Sequence, residues 1–114
     1  MEKFMLIIRE DLARLGSQSV SERMDSMPVM TRWIESIAED GNYLASHPLW
    51  ATGTLVTKDE VMSDGPFLES KEGVSGYILI SAENIRQASS YAQTCPLVIS
   101  GQLMIEVRPV FEEV

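Results

Sequence analysis

Two stretches of this chain are apolar at both odd and even positions. They are Lys3-Phe4-Met5-Leu6-Ile7-Ile8-Arg9 and Val74 to Ser81, the latter centred on Tyr77-Ile78-Leu79-Ile80. Side chains alternate between the two faces of a strand, so an apolar run of both parities predicts a strand buried on both faces. A chain of 114 residues supplies one domain and one core. Only two of its segments are strongly helical in pattern, and two helices cover one face of a four-stranded sheet. The second face therefore needs a cover that the chain does not contain. A second copy packing sheet to sheet is the simplest one, which predicts a homodimer.

The remaining elements follow from periodicity and caps. Ser19-Val20-Ser21-Glu22 has the form of a capping box. Val20, Met24, Met27, Met30, Ile34, Ile37 and Ala38 then recur at spacings of three and four, one apolar face of a helix that Gly41 ends. Pro28 lies inside this pattern; because the stripe continues through it, one kinked helix is expected. Glu10 to Gln18 reads as a loop closed by Gly16 and Ser17. Tyr43-Leu44-Ala45 reads as a short strand before a His47-Pro48 bend. Thr54 to Thr57 and Val61 to Ser63 flank Lys58-Asp59-Glu60 as a small hairpin. Asn84 to Gln87 is a second capping box, opening a short helix that Pro96 stops. Leu103 to Val107 is the last strand, ended by Arg108-Pro109. The order is an α+β, ferredoxin-like βαββαβ pattern with an extra hairpin.

Charge narrows the function. Nine Lys and Arg stand against 17 Asp and Glu, a net charge of −8. Binding to nucleic acid or an anionic membrane surface needs a basic face, so neither partner is expected. No run approaches the ~18 apolar residues of a membrane span. Met1 to Arg9 is too short for a signal peptide and is followed by acidic residues, so the chain reads as cytoplasmic. Cys95 is the one cysteine, which excludes an intrachain disulfide; it reads as a small buried apolar residue. No Cys/His cluster suggests zinc, and Met24, Met27 and Met30 at helical spacing read as core filler. No glycine-rich phosphate loop is present, and neither a metal nor another cofactor is expected.

The candidate chemistry gathers near residues 64–77. Asp64-Gly65-Pro66 is turn chemistry, followed by Phe67 and by Glu69, Lys71 and Glu72. The turn feeds the most apolar strand, so it sets a polar loop at the mouth of the core. His47 is the one histidine, the side-chain type whose unperturbed pKa lies near neutrality. Beside Asp64 it would form a general acid/base pair, the carboxylate orienting the imidazole. Against this stands a histidine in a surface loop and an aspartate bonding its own turn. Lys71 between two acids reads as an ion-pair partner or a ligand contact. Arg9 and Arg108 end two strands. Each can clamp a carboxylate bidentately or pair with Glu69 and Glu72. If these arginines serve a cleft, its ligand is small, partly apolar and anionic.

Asp64-Gly65-Pro66-Phe67, Glu69, Lys71, Glu72, Gly76-Tyr77 and Glu106-Val107-Arg108-Pro109-Val110 together resemble the YCII-related family, in the branch named for its DGPF motif. Lys3 to Ile7 and Trp33 are similar too, so the resemblance covers nearly the whole chain. It departs at Ser46-His47-Pro48-Leu49, where members commonly carry Gly or Glu before the leucine, and at Ser75-Gly76, where they commonly carry a glycine pair. The resemblance implies a ferredoxin-like fold of the dimeric α+β barrel class, a homodimer, and a cleft between sheet, helices and the DGPF loop. It implies two functions of different class. One is a small-molecule enzyme using a His-Asp pair, here His47 and Asp64. The other is a non-enzymatic sensing or protein-interaction module, linked in some members to alternative sigma factors.

Overall fold

A computed structural model describes residues 1–63 and 72–112. The turn at Asp64, with Phe67, Glu69 and Lys71, lies outside the described residues. Strand β1 (Glu2–Glu10) alternates cleanly: Phe4, Leu6, Ile8 and Glu10 are buried, while Met5, Ile7 and Arg9 are half-buried. It runs antiparallel to β5 (Gly73–Ala82) on one side and to β6 (Met104–Pro109) on the other. With β2 (Tyr43–Pro48) at the edge, the four-stranded order is β2-β5-β1-β6. The hairpin falls where expected, as β3 (Thr54–Val56) and β4 (Val61–Ser63) in a separate two-stranded sheet.

Helix α2 (Val20–Glu39) runs through Pro28 as one helix. Its capping box is complete: Glu22 N–H donates to Ser19 Oγ at 3.0 Å, and Ser19 N–H donates to Glu22 Oε1 at 3.1 Å. These hydrogen bonds from Ser19 hold the Glu22 carboxyl below its usual range. The apolar stripe does not pack along its whole length. Trp33 and Ile37 are buried and Met30 and Ile34 pack beside them, yet Val20 and Met24 are exposed. The second half of the helix packs on the core, while its first turns line a groove with Leu49 and Trp50 instead.

Two expectations are corrected and a third is extended. Residues 12–17 are a short helix, α1 (Leu12–Ser17), rather than loop. Asp11 caps it, accepting from the N–H groups of Ala13 and Arg14. Strand β2 does not bend at His47 but runs through Pro48; Pro is tolerated because β2 is an edge strand. Pro96 follows α3 (Ile85–Gln93) and also starts α4 (Pro96–Ile99), where its missing N–H costs nothing.

The core lies on one face of the sheet. Phe4, Leu6, Ile78 and Ile80 meet Trp33, Ile37, Ala88 and the buried Cys95. Trp33 Nε1 donates to Thr94 Oγ1 at 2.9 Å, tying α2 to the end of α3. On the other face stand Met5, Ile7 and Leu79, half-buried, with Val74 and Met104 exposed. No described helix packs there, and the protomer's sheet is open rather than a closed barrel. Among the described residues no helix is long and apolar enough to cross a membrane.

Candidate active site

A cleft lies between α2 and the sheet. Ile8 and Ile78 form its floor and Met27, Met30 and Ile34 its wall. Its polar end is built by a bulge. Ile8 pairs with Gly76 but Arg9 pairs with Val74, which leaves Ser75 as the extra residue of β5. The freed carbonyl of Ser75 accepts from Leu49 N–H at 2.8 Å, drawing in the segment after β2. Its hydroxyl donates to Glu10 Oε2 at 2.5 Å, and Arg14 Nη2 donates to Glu10 Oε1 at 3.0 Å. Glu10 is thus a buried carboxylate with both oxygens engaged, in contact with the cleft.

Gly76 keeps the floor thin. A Cβ there would stand 3.1 Å from the His47 carbonyl oxygen and 3.3 Å from Pro48 Cα. These are backbone atoms of the neighbouring strand and have little room to yield.

His47 pairs with Tyr77 across β2 and β5. Its Nδ1 lies 2.8 Å from Tyr77 Oη, and the rings are 5.7 Å apart at 49°. Tyr77 in turn pairs with Ile7, and Ile7 with Glu106, so these four residues form one row across the sheet. Both His47 and Tyr77 are among the residues lining the cleft at the β2 edge, but the row shared with Ile7 and Glu106 sets their side chains on the open face rather than on the Ile8–Ile78 floor. His47 Nε2 has no partner among the described residues. A histidine with one nitrogen held by a hydroxyl and the other open can give or take a proton at the open one.

Arg9 and Arg108 come together on the open face, not at the cleft. Arg9 Nη1 lies 3.2 Å from Glu106 Oε1, and Arg108 Nη1 lies 3.1 Å from Glu106 Oε2. One carboxylate therefore holds both arginines; Glu69 lies outside the described residues. Asp64 and Lys71 lie outside the described residues.

Glu10, Ser75 and Tyr77 were not singled out as site residues from the sequence. For Glu10 a signal existed: it continues the even series Phe4, Leu6, Ile8, so an acid sits on the parity of the core. Ser75 gave less, because a bulge is a property of pairing between distant strands. Among the described residues no group of three His, Cys, Asp or Glu side chains is arranged to hold a metal ion.

The sequence model of the YCII-related domain matches residues 3–113. Among solved structures the fold is similar to 5-chloro-2-hydroxyhydroquinone dehydrochlorinase (TftG) from Burkholderia phenoliruptrix AC1100, in complex with 2,5-dihydroxybenzoquinone. The TM-score is 0.55 at 15% identity, over 96% of this chain and 95% of that one. No curated protein matches the sequence.

Proposed function

This chain belongs to the YCII-related family, and on that premise we propose that it is a small-molecule enzyme of the acid–base type. The observation that supports this most is the His47–Tyr77 pair, held on the edge strand β2 whose residues also line an apolar cleft. The cleft desolvates a compact substrate along Ile8, Met30 and Ile34. His47 Nε2 exchanges the proton, with Nδ1 held by Tyr77. Asp64 is proposed as the carboxylate partner of His47, on the family resemblance of the DGPF segment. The fold neighbour is a dehydrochlorinase bound to a small ring compound, which favours a small-molecule reading over a macromolecular one.

The protomer is proposed to work as a homodimer in the cytoplasm, its partner covering the open sheet face. In that assembly Arg9, Glu106 and Arg108 would lie at or near the interface. A small anion held by Arg9, Lys71 or Arg108 remains the alternative to internal neutralisation by Glu106.

A turnover screen against small hydroxylated and carboxylated ring compounds tests the proposal. His47→Gln should lower the rate about 10²-fold or more, and Asp64→Asn should follow it if the pair acts together. A ligand that binds the wild type and His47→Gln equally, with no turnover by either, would replace the enzyme by a sensing module.

A further inference from the structure

The first half of α2 is not polar, and it shares a groove with an exposed tryptophan. Val20 is 61% exposed, Met24 64% and Trp50, just after β2, 66%. With Met27 and Leu49 they line a groove. Arg23 borders both this groove and the cleft, so the two are continuous through it. Its guanidinium carbon lies 5.6 Å from the centre of the Trp50 ring. Its Nη2 donates to the carbonyl of Leu49. A guanidinium carries five N–H donors, and one such bond leaves most of the fork open. The other arginine of the cleft, Arg14, has given its charge to Glu10. Among the described residues no carboxylate lies within ion-pair distance of Arg23.

We infer that Arg23 and Trp50 form an anion-binding subsite at the mouth of the cleft, and that it takes the carboxylate of a small aromatic acid. An open guanidinium fork matches a carboxylate bidentately. The Trp50 ring, with the flexible thioethers of Met24 and Met27 in the same groove, offers polarizable surface to a flat ring. Excess acid elsewhere on the protein makes this open cation the more selective: an anion is repelled from most of the surface and attracted here. The simpler role, a latch fastening the Leu49–Trp50 segment to α2, uses only the bond to Leu49. It needs neither the open donors nor the methionine wall.

The inference deepens the small-molecule reading of the cleft and rests on it. Calorimetric titration with benzoate, benzamide and cyclohexanecarboxylate tests it on the whole chain. Benzoate should bind at least tenfold more tightly than benzamide, which lacks the charge, and than cyclohexanecarboxylate, which lacks the flat ring. Arg23→Gln should bring benzoate down to the level of benzamide. Arg23→Lys should recover only part, since an ammonium is no fork. Trp50→Leu should abolish the preference for the aromatic ring. Far-ultraviolet circular dichroism of each variant checks that the fold survives, and Arg23→Lys carries the test if Arg23→Gln does not fold. Equal binding of acid and amide by the wild type, or of benzoate by wild type and Arg23→Gln, would overturn the subsite. So would failure of all three probes to bind. Turnover that depends on His47 beside benzoate binding that ignores Arg23 would sink the subsite and keep the enzyme. Benzoate held through Arg23 by a protein without turnover would do the reverse.

Discussion

Arg9 and Glu10 are adjacent in β1 and sit on opposite faces of the sheet. Each belongs to a small arginine–carboxylate cluster, and the clusters differ in kind. The Glu10 side chain is 10% exposed, bonded to Ser75 and Arg14 beside the cleft. Arg9 and Glu106 are each 36% exposed, on a face where no described helix packs. Taking Glu10 out of water is costly, and its two hydrogen bonds offset that cost only while both persist. The Arg9 pair remains partly in water and contributes little to the protomer. The same two residue types thus hold the cleft together on one face and wait at an uncovered surface on the other.

The largest test of that contrast is a charge on either face of β5. Ile80 is fully buried among the helices, while Leu79 is half-buried on the open face. Ile80→Asp should leave no folded protein. The milder Ile80→Ala should cost about 2–5 kcal/mol in urea melting. Leu79→Asp should keep the circular-dichroism spectrum of a folded chain but sediment as a monomer, if a second copy covers this face as proposed. A wild-type protein that already sediments as a monomer at micromolar concentration would leave the open face unexplained. Unfolding by Leu79→Asp would show that the two faces are not so different.

The same contrast explains what the sequence could reveal. Mixed parity in Lys3–Arg9 and Val74–Ser81 was legible because a strand's period of two is intrinsic to its backbone. It announced both the sheet and its uncovered side. The capping box at Ser19 was legible because it is local. The packing of α2 was not: Val20 and Met24 match the stripe as well as Ile34 and Ile37 do, and only the tertiary placement of the helix decides which of them are buried. The cleft's polar end was hidden for a similar reason. Ser75 meets Glu10 through a bulge between strands 65 positions apart, and no local pattern encodes it. Tyr77 as the neighbour of His47 required the register of β2 on β5, which the expected bend at His47-Pro48 obscured.

A smaller effect is expected at the bulge. Ser75→Ala removes the hydroxyl that donates to Glu10 Oε2 and leaves that oxygen buried without its donor. The loss should be about 1–3 kcal/mol, read as a lower urea midpoint with an unchanged slope. Gly76→Ala next door crowds the backbone of His47 and Pro48 instead. It should lower any turnover that depends on His47 by more than its effect on melting implies. If Ser75→Ala melts like the wild type, the cluster is solvated and the distinction from Arg9 collapses.

The smallest effect belongs to Arg9 itself. In a protomer held monomeric by Leu79→Asp, Arg9→Gln should change stability by less than about 1 kcal/mol, because its pair with Glu106 is half in water and Arg108 still satisfies that carboxylate. Raising the salt concentration should shrink even this difference, since exposed pairs are screened. In the otherwise unmodified chain the outcome should differ. A partner sheet laid on this face would take Arg9 and Glu106 out of water together, and removing Arg9 would leave Glu106 buried with one cation instead of two. A double-mutant cycle over Arg9→Gln and Glu106→Gln, run in both backgrounds, isolates the coupling. A coupling that is near zero in the monomer and grows in the dimer marks the open face as an interface. Equal coupling in both backgrounds means that the partner, if there is one, leaves this cluster in water.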